Sequence, residues 1–160
     1  MNPKVVERIY QIKGRHYKKP LIVLIGAKIE LLKFGIILSK QVEDEIDRLW
    51  PGPITIVLPS PLVCFKYLDR GKGTIAFRLP ADEKLQKFLL ASGPLVAPSA
   101  NPAGKVPASN FKEAHEYFAD QVDFYLRGPE LLGSPSTIVA IKNGQIKILR
   151  KGAGMLELAK

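Results

Sequence analysis

Apolar residues recur along this chain with two spacings, and the spacings alternate. Val5, Val6, Ile9, Tyr10 and Ile12 fall on one helical face. Asn2 can cap that helix, Pro3 suits its first position, and Gly14 suits its end. Leu21 to Ile25 is a continuous apolar run after a proline and predicts a buried strand, and Ile29 to Phe34 predicts a short helix. Ser39 opens a longer helix in which Val42, Ile46, Leu49 and Trp50 keep the helical spacing until Pro51-Gly52-Pro53 stops it. Ile54 to Leu58 is rich in β-branched residues and predicts a strand. Residues 59–73 carry no clear period and read as a loop.

The second half continues the mixture. From Thr74 to Leu79 the residues alternate: Ile75, Phe77 and Leu79 share one strand face, and Thr74, Ala76 and Arg78 the other. Asp82 can cap a helix carrying Leu85, Phe88 and Leu89. Pro94 to Ala97 predicts a strand that runs straight into Ser99-Ala100-Asn101. Ser109 opens a further helix through Ala119, and Asp123 to Leu126 predicts a short strand. Thr137 to Ile141 and Gln145 to Leu149 flank Asn143-Gly144, the pattern of a tight hairpin. The tail suits a helical turn. Helices and strands intermixed in this way predict an α/β fold on a mixed sheet.

Composition narrows the class. A chain of 160 residues with 46% hydrophobic and 24% charged residues suits a single domain, 1–160, with one sizeable core. The net charge of +9 favours an anionic partner such as a nucleotide or RNA. Cys64 is the sole cysteine, which excludes an internal disulfide and a cysteine-based zinc cluster. Asn2-Pro3-Lys4 leads into an amphipathic stretch rather than the apolar core of a secretory signal, and no apolar run spans a bilayer. A cytoplasmic setting without membrane association is expected.

Two segments carry candidate chemistry. Lys13 and Arg15 lie two residues apart, and in an extended segment they would point the same way, toward a phosphate or carboxylate. They equally suit solvated charges at a helix end. Ser99 and Asn101 follow an apolar strand, where hydroxyl and amide groups can orient a ligand or merely form a polar turn. Arg78 lies among small residues, as the floor of a cleft requires, or faces solvent. Arg150 ends the last strand beside the start of its hairpin partner at Ser136-Thr137. His16 and His115 lack partners at metal-ligand spacing, and no Walker loop, G-x-G-x-x-G or G-x-S-x-G motif occurs.

Six stretches in order resemble the YrdC/TsaC family of L-threonylcarbamoyladenylate synthases. They are Ile12-Lys13-Gly14-Arg15 with Lys19-Pro20-Leu21; Leu49-Trp50-Pro51-Gly52-Pro53-Ile54-Thr55; Thr74 to Pro80; Gly93 to Val96 with Ser99-Ala100-Asn101; Pro135 to Val139; and Ile148 to Ala153. The resemblance implies a twisted, mixed, open α/β sheet with flanking helices and a basic concave face. It implies a nucleotidyltransferase that condenses L-threonine, bicarbonate and ATP into threonylcarbamoyl-AMP and pyrophosphate. That product would serve the threonylcarbamoyl modification of tRNA adenosine, with downstream threonylcarbamoyl-transfer proteins as partners. Carried over by motif, Lys13 and Arg15 are catalytic and ligand-binding candidates. Ser99, Asn101, Arg78, Ser136 and Arg150 are candidates for substrate and ATP binding. Magnesium would be held mainly by phosphates.

The family also has a Pro-Thr-x-Thr-x-Tyr-Gly-Leu segment upstream of its first helix, and this sequence starts inside that region. The expectation is a domain shortened at its N-terminus, with an unpaired sheet edge and reduced stability and activity. An alternative reading is a non-catalytic module of the same fold that binds tRNA or double-stranded RNA.

Overall fold

The computed structural model describes residues 1–142 and 145–155. Helix α1 spans Pro3–Lys13. Asn2 caps it, accepting from the Lys4 N–H at 3.0 Å. Gly14, at φ +57°, ends it, and the N–H groups of Gly14 and Arg15 return to Gln11 and Tyr10. Strand β1 is Ile22–Leu24 and a 3-10 helix covers Lys28–Phe34. Helix α2 (Lys40–Leu49) leads into strand β2 (Ile54–Pro59). The turn between them contains a cis Trp50–Pro51 bond, and the Trp50 indole donates to the Ile54 carbonyl at 2.8 Å. Next come a 3-10 turn (Val63–Phe65), short helix α3 (Lys66–Asp69) and strand β3 (Thr74–Arg78). Helix α4 (Glu83–Ser92), capped by Asp82, precedes strand β4 (Leu95–Val96). Helix α5 (Phe111–Phe118), a 3-10 turn (Ala119–Gln121) and strands β5 (Thr137–Lys142) and β6 (Gln145–Arg150) complete the order.

The six strands form one mixed sheet in the order β4-β1-β3-β2-β5-β6. β1 runs parallel to β3 and β2 parallel to β5, while the other neighbours are antiparallel. The predicted alternation in β3 is present: Ile75 and Phe77 are buried and Thr74, Ala76 and Arg78 only half-buried. Register then assigns the faces. Val23, Phe77, Ile56 and Val139 align across the sheet and are fully buried. They meet Val6 and Tyr10 of α1, Ile46 of α2, and Phe34 and Trp50 in one core. Each such side chain contributes about 1.5–3 kcal/mol. The opposite face carries Ile22 and Leu24, Ala76 and Arg78, Thr55 and Val57, and Ile138 and Ala140. Most of these are half-buried.

Several local expectations are corrected. Asp123 to Leu126 is not a strand. No neighbouring strand pairs with it among the described residues, Phe124 and Leu126 are exposed, and the segment is held by side chains instead. Arg8 binds Asp123 at 2.8 Å, and the Tyr125 hydroxyl donates to the Ala119 carbonyl at 2.8 Å. Asn110, not Ser109, caps α5, because its side chain accepts from Glu113 N while Glu113 reaches back to Ser109 N. Residues 59–73 contain two short helical pieces rather than plain loop. The Asn143-Gly144 turn and the tail beyond residue 155 lie outside the described residues. No helix among the described residues is long and apolar enough to cross a membrane.

Candidate functional site

Lys13 is where the local sequence and the fold meet. It is the last residue of α1, and the left-handed Gly14 turns the chain immediately after it. Gly14 ends the helix as its position suggests, so the pair straddles a helix exit rather than sharing one side of an extended segment. Lys13 is buried and its ammonium donates to the carbonyls of Ser99 and Asn101. Its own carbonyl accepts from Ala103 N at 2.7 Å. Side chain and main chain thus both tie α1 to the loop beyond β4. An ammonium has three donors. The third has only a long 3.4 Å contact to Asn101 Oδ1, so an incoming anion could take it.

The loop is internally braced. Ser99 Oγ donates to Asn101 Oδ1 at 2.6 Å, and Asn101 Nδ2 donates to the Lys105 carbonyl at 2.6 Å. Arg15 turns the other way and donates to the carbonyls of Lys19 (3.2 Å) and Pro20 (3.0 Å), just before β1. Three of its five N–H groups remain for a ligand. Burial, and then the nearby Arg15 charge, lower the Lys13 pKa from the ordinary lysine range. Two like charges near enough for one to lower the other's pKa are both stabilised by a nearby anion.

Arg78, Ser136 and Arg150 gather elsewhere. Arg78 donates to the Gly52 carbonyl at 3.1 Å, and burial lowers its pKa. Arg150 donates to the Ser136 carbonyl at 2.7 Å. Strand directions place this group at the end of the sheet where β3 and β6 finish and β2 and β5 begin. Lys13, Arg15, Ser99 and Asn101 lie at the other end, where β1 begins and β4 finishes. The two groups flank opposite ends of the three-residue β1, whose Leu24 lies opposite Arg78. The half-buried face bearing Ala76 and Arg78 runs between them.

Sequence reasoning missed the residues that position this second group. Thr55 is fully buried and its hydroxyl lies 2.7 Å from Ser136 Oγ. Thr137 Oγ1 donates to the Gly154 carbonyl at 2.7 Å and accepts from Gly152 N at 3.0 Å. Gly152 crosses so close to residues 135–136 that a Cβ there would lie 2.1 Å from the Pro135 carbonyl oxygen. The alternation in Ile54 to Leu58 was the available signal, since it puts Thr55 on the face opposite Ile54 and Ile56.

Comparison with known proteins adds the family. The Sua5/YciO/YrdC family model, described as "Telomere recombination", matches residues 1–152. The chain belongs to this family. Among relatives, a threonylcarbamoyl-AMP synthase from Pyrococcus abyssi is 34% identical over 163 residues, covering 98% of this chain and 47% of the relative. Another threonylcarbamoyl-AMP synthase, from Hahella chejuensis, is 36% identical over 143 residues, covering 88% of this chain and 78% of the relative. The structure of P. abyssi Sua5 complexed with L-threonine superposes with a TM-score of 0.83 at 32% identity, over 93% of this chain and 44% of that one. The chain thus spans about half the length of the P. abyssi relative. The mixed open sheet with flanking helices is the family's fold.

Proposed function

We propose that this Sua5/YciO/YrdC-family chain makes threonylcarbamoyl-AMP from L-threonine, bicarbonate and ATP. The observation that carries the proposal is the buried Lys13 ammonium seated on the Ser99–Asn101 loop with Arg15 beside it. Threonine's amine and bicarbonate condense to a carbamate with loss of water. A carbamate oxygen attacks the α-phosphorus of ATP, and the bond from that phosphorus to the bridging oxygen breaks to release pyrophosphate. The reactants are anions and the transition state adds charge at phosphorus, so fixed cations and oriented dipoles supply the catalysis. Lys13 and Arg15 neutralise the reacting anions; Ser99 and Asn101 orient them. Arg78, Arg150 and Ser136 bind the part of the ligand that extends over the open sheet face. The donor set is hydroxyl, amide and cation, which does not build a divalent-cation cage. Magnesium enters as part of the MgATP substrate. In this reading the chain works in the cytoplasm and hands its product to tRNA threonylcarbamoyl-transfer proteins.

The test is pyrophosphate release from ATP with threonine or bicarbonate withheld in turn, for wild type, Lys13→Ala and Arg15→Ala. Release that needs both co-substrates and falls at least about 100-fold in Lys13→Ala is expected, since loss of one charge-stabilising donor costs ~10²–10³ in rate. Release that ignores threonine, or survives Lys13→Ala, would overturn the assignment. The homologues named as synthases favour this enzyme over the non-catalytic RNA-binding alternative.

A further inference from the structure

Arg15 is seated on a carbonyl that a second side chain also holds. Its Nε donates to the Lys19 carbonyl at 3.2 Å, and its guanidinium also donates to the Pro20 carbonyl at 3.0 Å. The Tyr10 hydroxyl donates to the same Lys19 carbonyl at 2.9 Å. A carbonyl oxygen has two lone pairs, and here Arg15 and Tyr10 take one each. Tyr10 lies in the last turn of α1, and its ring is buried in the core. Lys19 is an exposed residue. The hydroxyl therefore ties the carbonyl of an exposed residue, and the arginine resting on it, to the packed interior.

Tyr10 is itself clamped. The Arg70 guanidinium lies over its ring, 4.1 Å from the centre. Arg70 also donates to Glu7, one turn earlier in α1, at 3.1 Å. Two features of Arg70 are costly by themselves. Its backbone is left-handed, at φ +52°, a conformation that favours glycine. Its Nε is buried with no hydrogen-bond partner among the described residues. A glycine at this helix end would avoid both costs. Position 10 raises the same question, because packing alone asks only for a ring, and phenylalanine would fill the core with no hydroxyl to satisfy. The polar atoms instead form a chain from Arg70, through the Tyr10 ring and hydroxyl, to the Lys19 carbonyl and Arg15. We infer that Tyr10 and Arg70 are positioning residues for Arg15. The hydroxyl fixes the carbonyl on which the Arg15 guanidinium rests, and the Arg70 stack fixes the ring that carries the hydroxyl. The inference rests on the reading of Arg15 as a cation that neutralises the reacting anions, and Tyr10 and Arg70 act only through it.

The experiment follows Arg15 by proton–nitrogen NMR and by turnover. The Arg15 Nε–H signal, assigned by its loss in Arg15→Ala, reports through its solvent-exchange rate whether the guanidinium stays on the Lys19 carbonyl. Tyr10→Phe keeps the ring in the core and removes only the hydroxyl. Exchange at Arg15 should rise about 3- to 10-fold in Tyr10→Phe, the worth of one net hydrogen bond. Exchange at Arg78 Nε, which sits on the Gly52 carbonyl at the other end of the sheet, should not change. Arg70→Gly, which suits the left-handed backbone, should raise exchange at Arg15 in the same direction. In turnover, kcat/KM for pyrophosphate release should fall by a similar factor in Tyr10→Phe, with no further fall when Tyr10→Phe is added to Arg15→Ala. Unchanged Arg15 exchange in Tyr10→Phe would overturn the inference. An equal fall of kcat/KM in the Arg15→Ala background would overturn it too, since that marks a merely structural tyrosine. Unchanged exchange in Arg70→Gly would overturn the part given to Arg70. A wild type that releases no pyrophosphate would count against the synthase reading instead, and the exchange rates would then decide the positioning alone.

Discussion

At the scale of single residues, Lys13 concentrates the account. Its ammonium donates to two carbonyls, and its burial and then the nearby Arg15 charge weaken its hold on its proton. An anion docking there reverses the second effect, so the bound lysine has the higher pKa. The sign follows. Below the free-state pKa the lysine is already charged and ATP affinity is flat with pH. Between the free and bound values, binding must take up a proton, and affinity falls about tenfold per pH unit. Isothermal titration calorimetry across the alkaline range should show this fall in wild type and its loss in Lys13→Ala. An identical profile in both would place the anion elsewhere. That Lys13 and Arg15 are cations near each other was legible in the sequence. The helix end at Gly14 was legible too; the seat of the Lys13 ammonium was not, because the Ser99 and Asn101 carbonyls that receive it lie 86 and 88 residues away.

At the scale of elements, the two sheet ends depend on close crossings between segments distant in sequence. Thr55 and Ser136 share a buried hydrogen bond across 81 residues, and no local pattern reports such a pair. Gly152 passes over residues 135–136 with no room for a methyl group. Gly152→Ala should destabilise the protein by about 1–3 kcal/mol, read as a lower midpoint in urea. Gly128→Ala, which meets nothing within 4 Å and has no left-handed backbone angle to strain, should be silent. Equal midpoints would mean that the 152–154 segment does not hold the start of β5 as described. Helix ends were the most legible elements, because Asn2 and Asp82 announce their caps by residue type and position. The Asp123–Leu126 segment misled for the opposite reason. Its apolar residues suit a strand, but a strand needs a neighbour to satisfy its main chain, and none lies beside it among the described residues.

At the scale of the molecule, one sheet has two unlike faces. The face bearing Val23, Ile56, Phe77 and Val139 is sealed by α1 and α2, and the other, with Ala76 and Arg78, stays half-buried. Phe77 sits at the centre of the sealed face and touches Phe34 edge-on at 4.8 Å. Phe77→Ala should cost about 3–5 kcal/mol, measurable by chemical denaturation. A loss below 1 kcal/mol would contradict the core as drawn. The half-buried face separates the two groups of cationic and hydroxyl residues, and the proposed reaction needs a ligand that reaches across it. The most direct measurement is mass spectrometric detection of product after incubation with ATP, L-threonine and isotopically labelled bicarbonate. The account predicts labelled threonylcarbamoyl-AMP with one equivalent of pyrophosphate, only when all three substrates are present, and less of it from Arg78→Ala. ATP turnover to ADP and phosphate, or AMP without the labelled carbamoyl group, would contradict it.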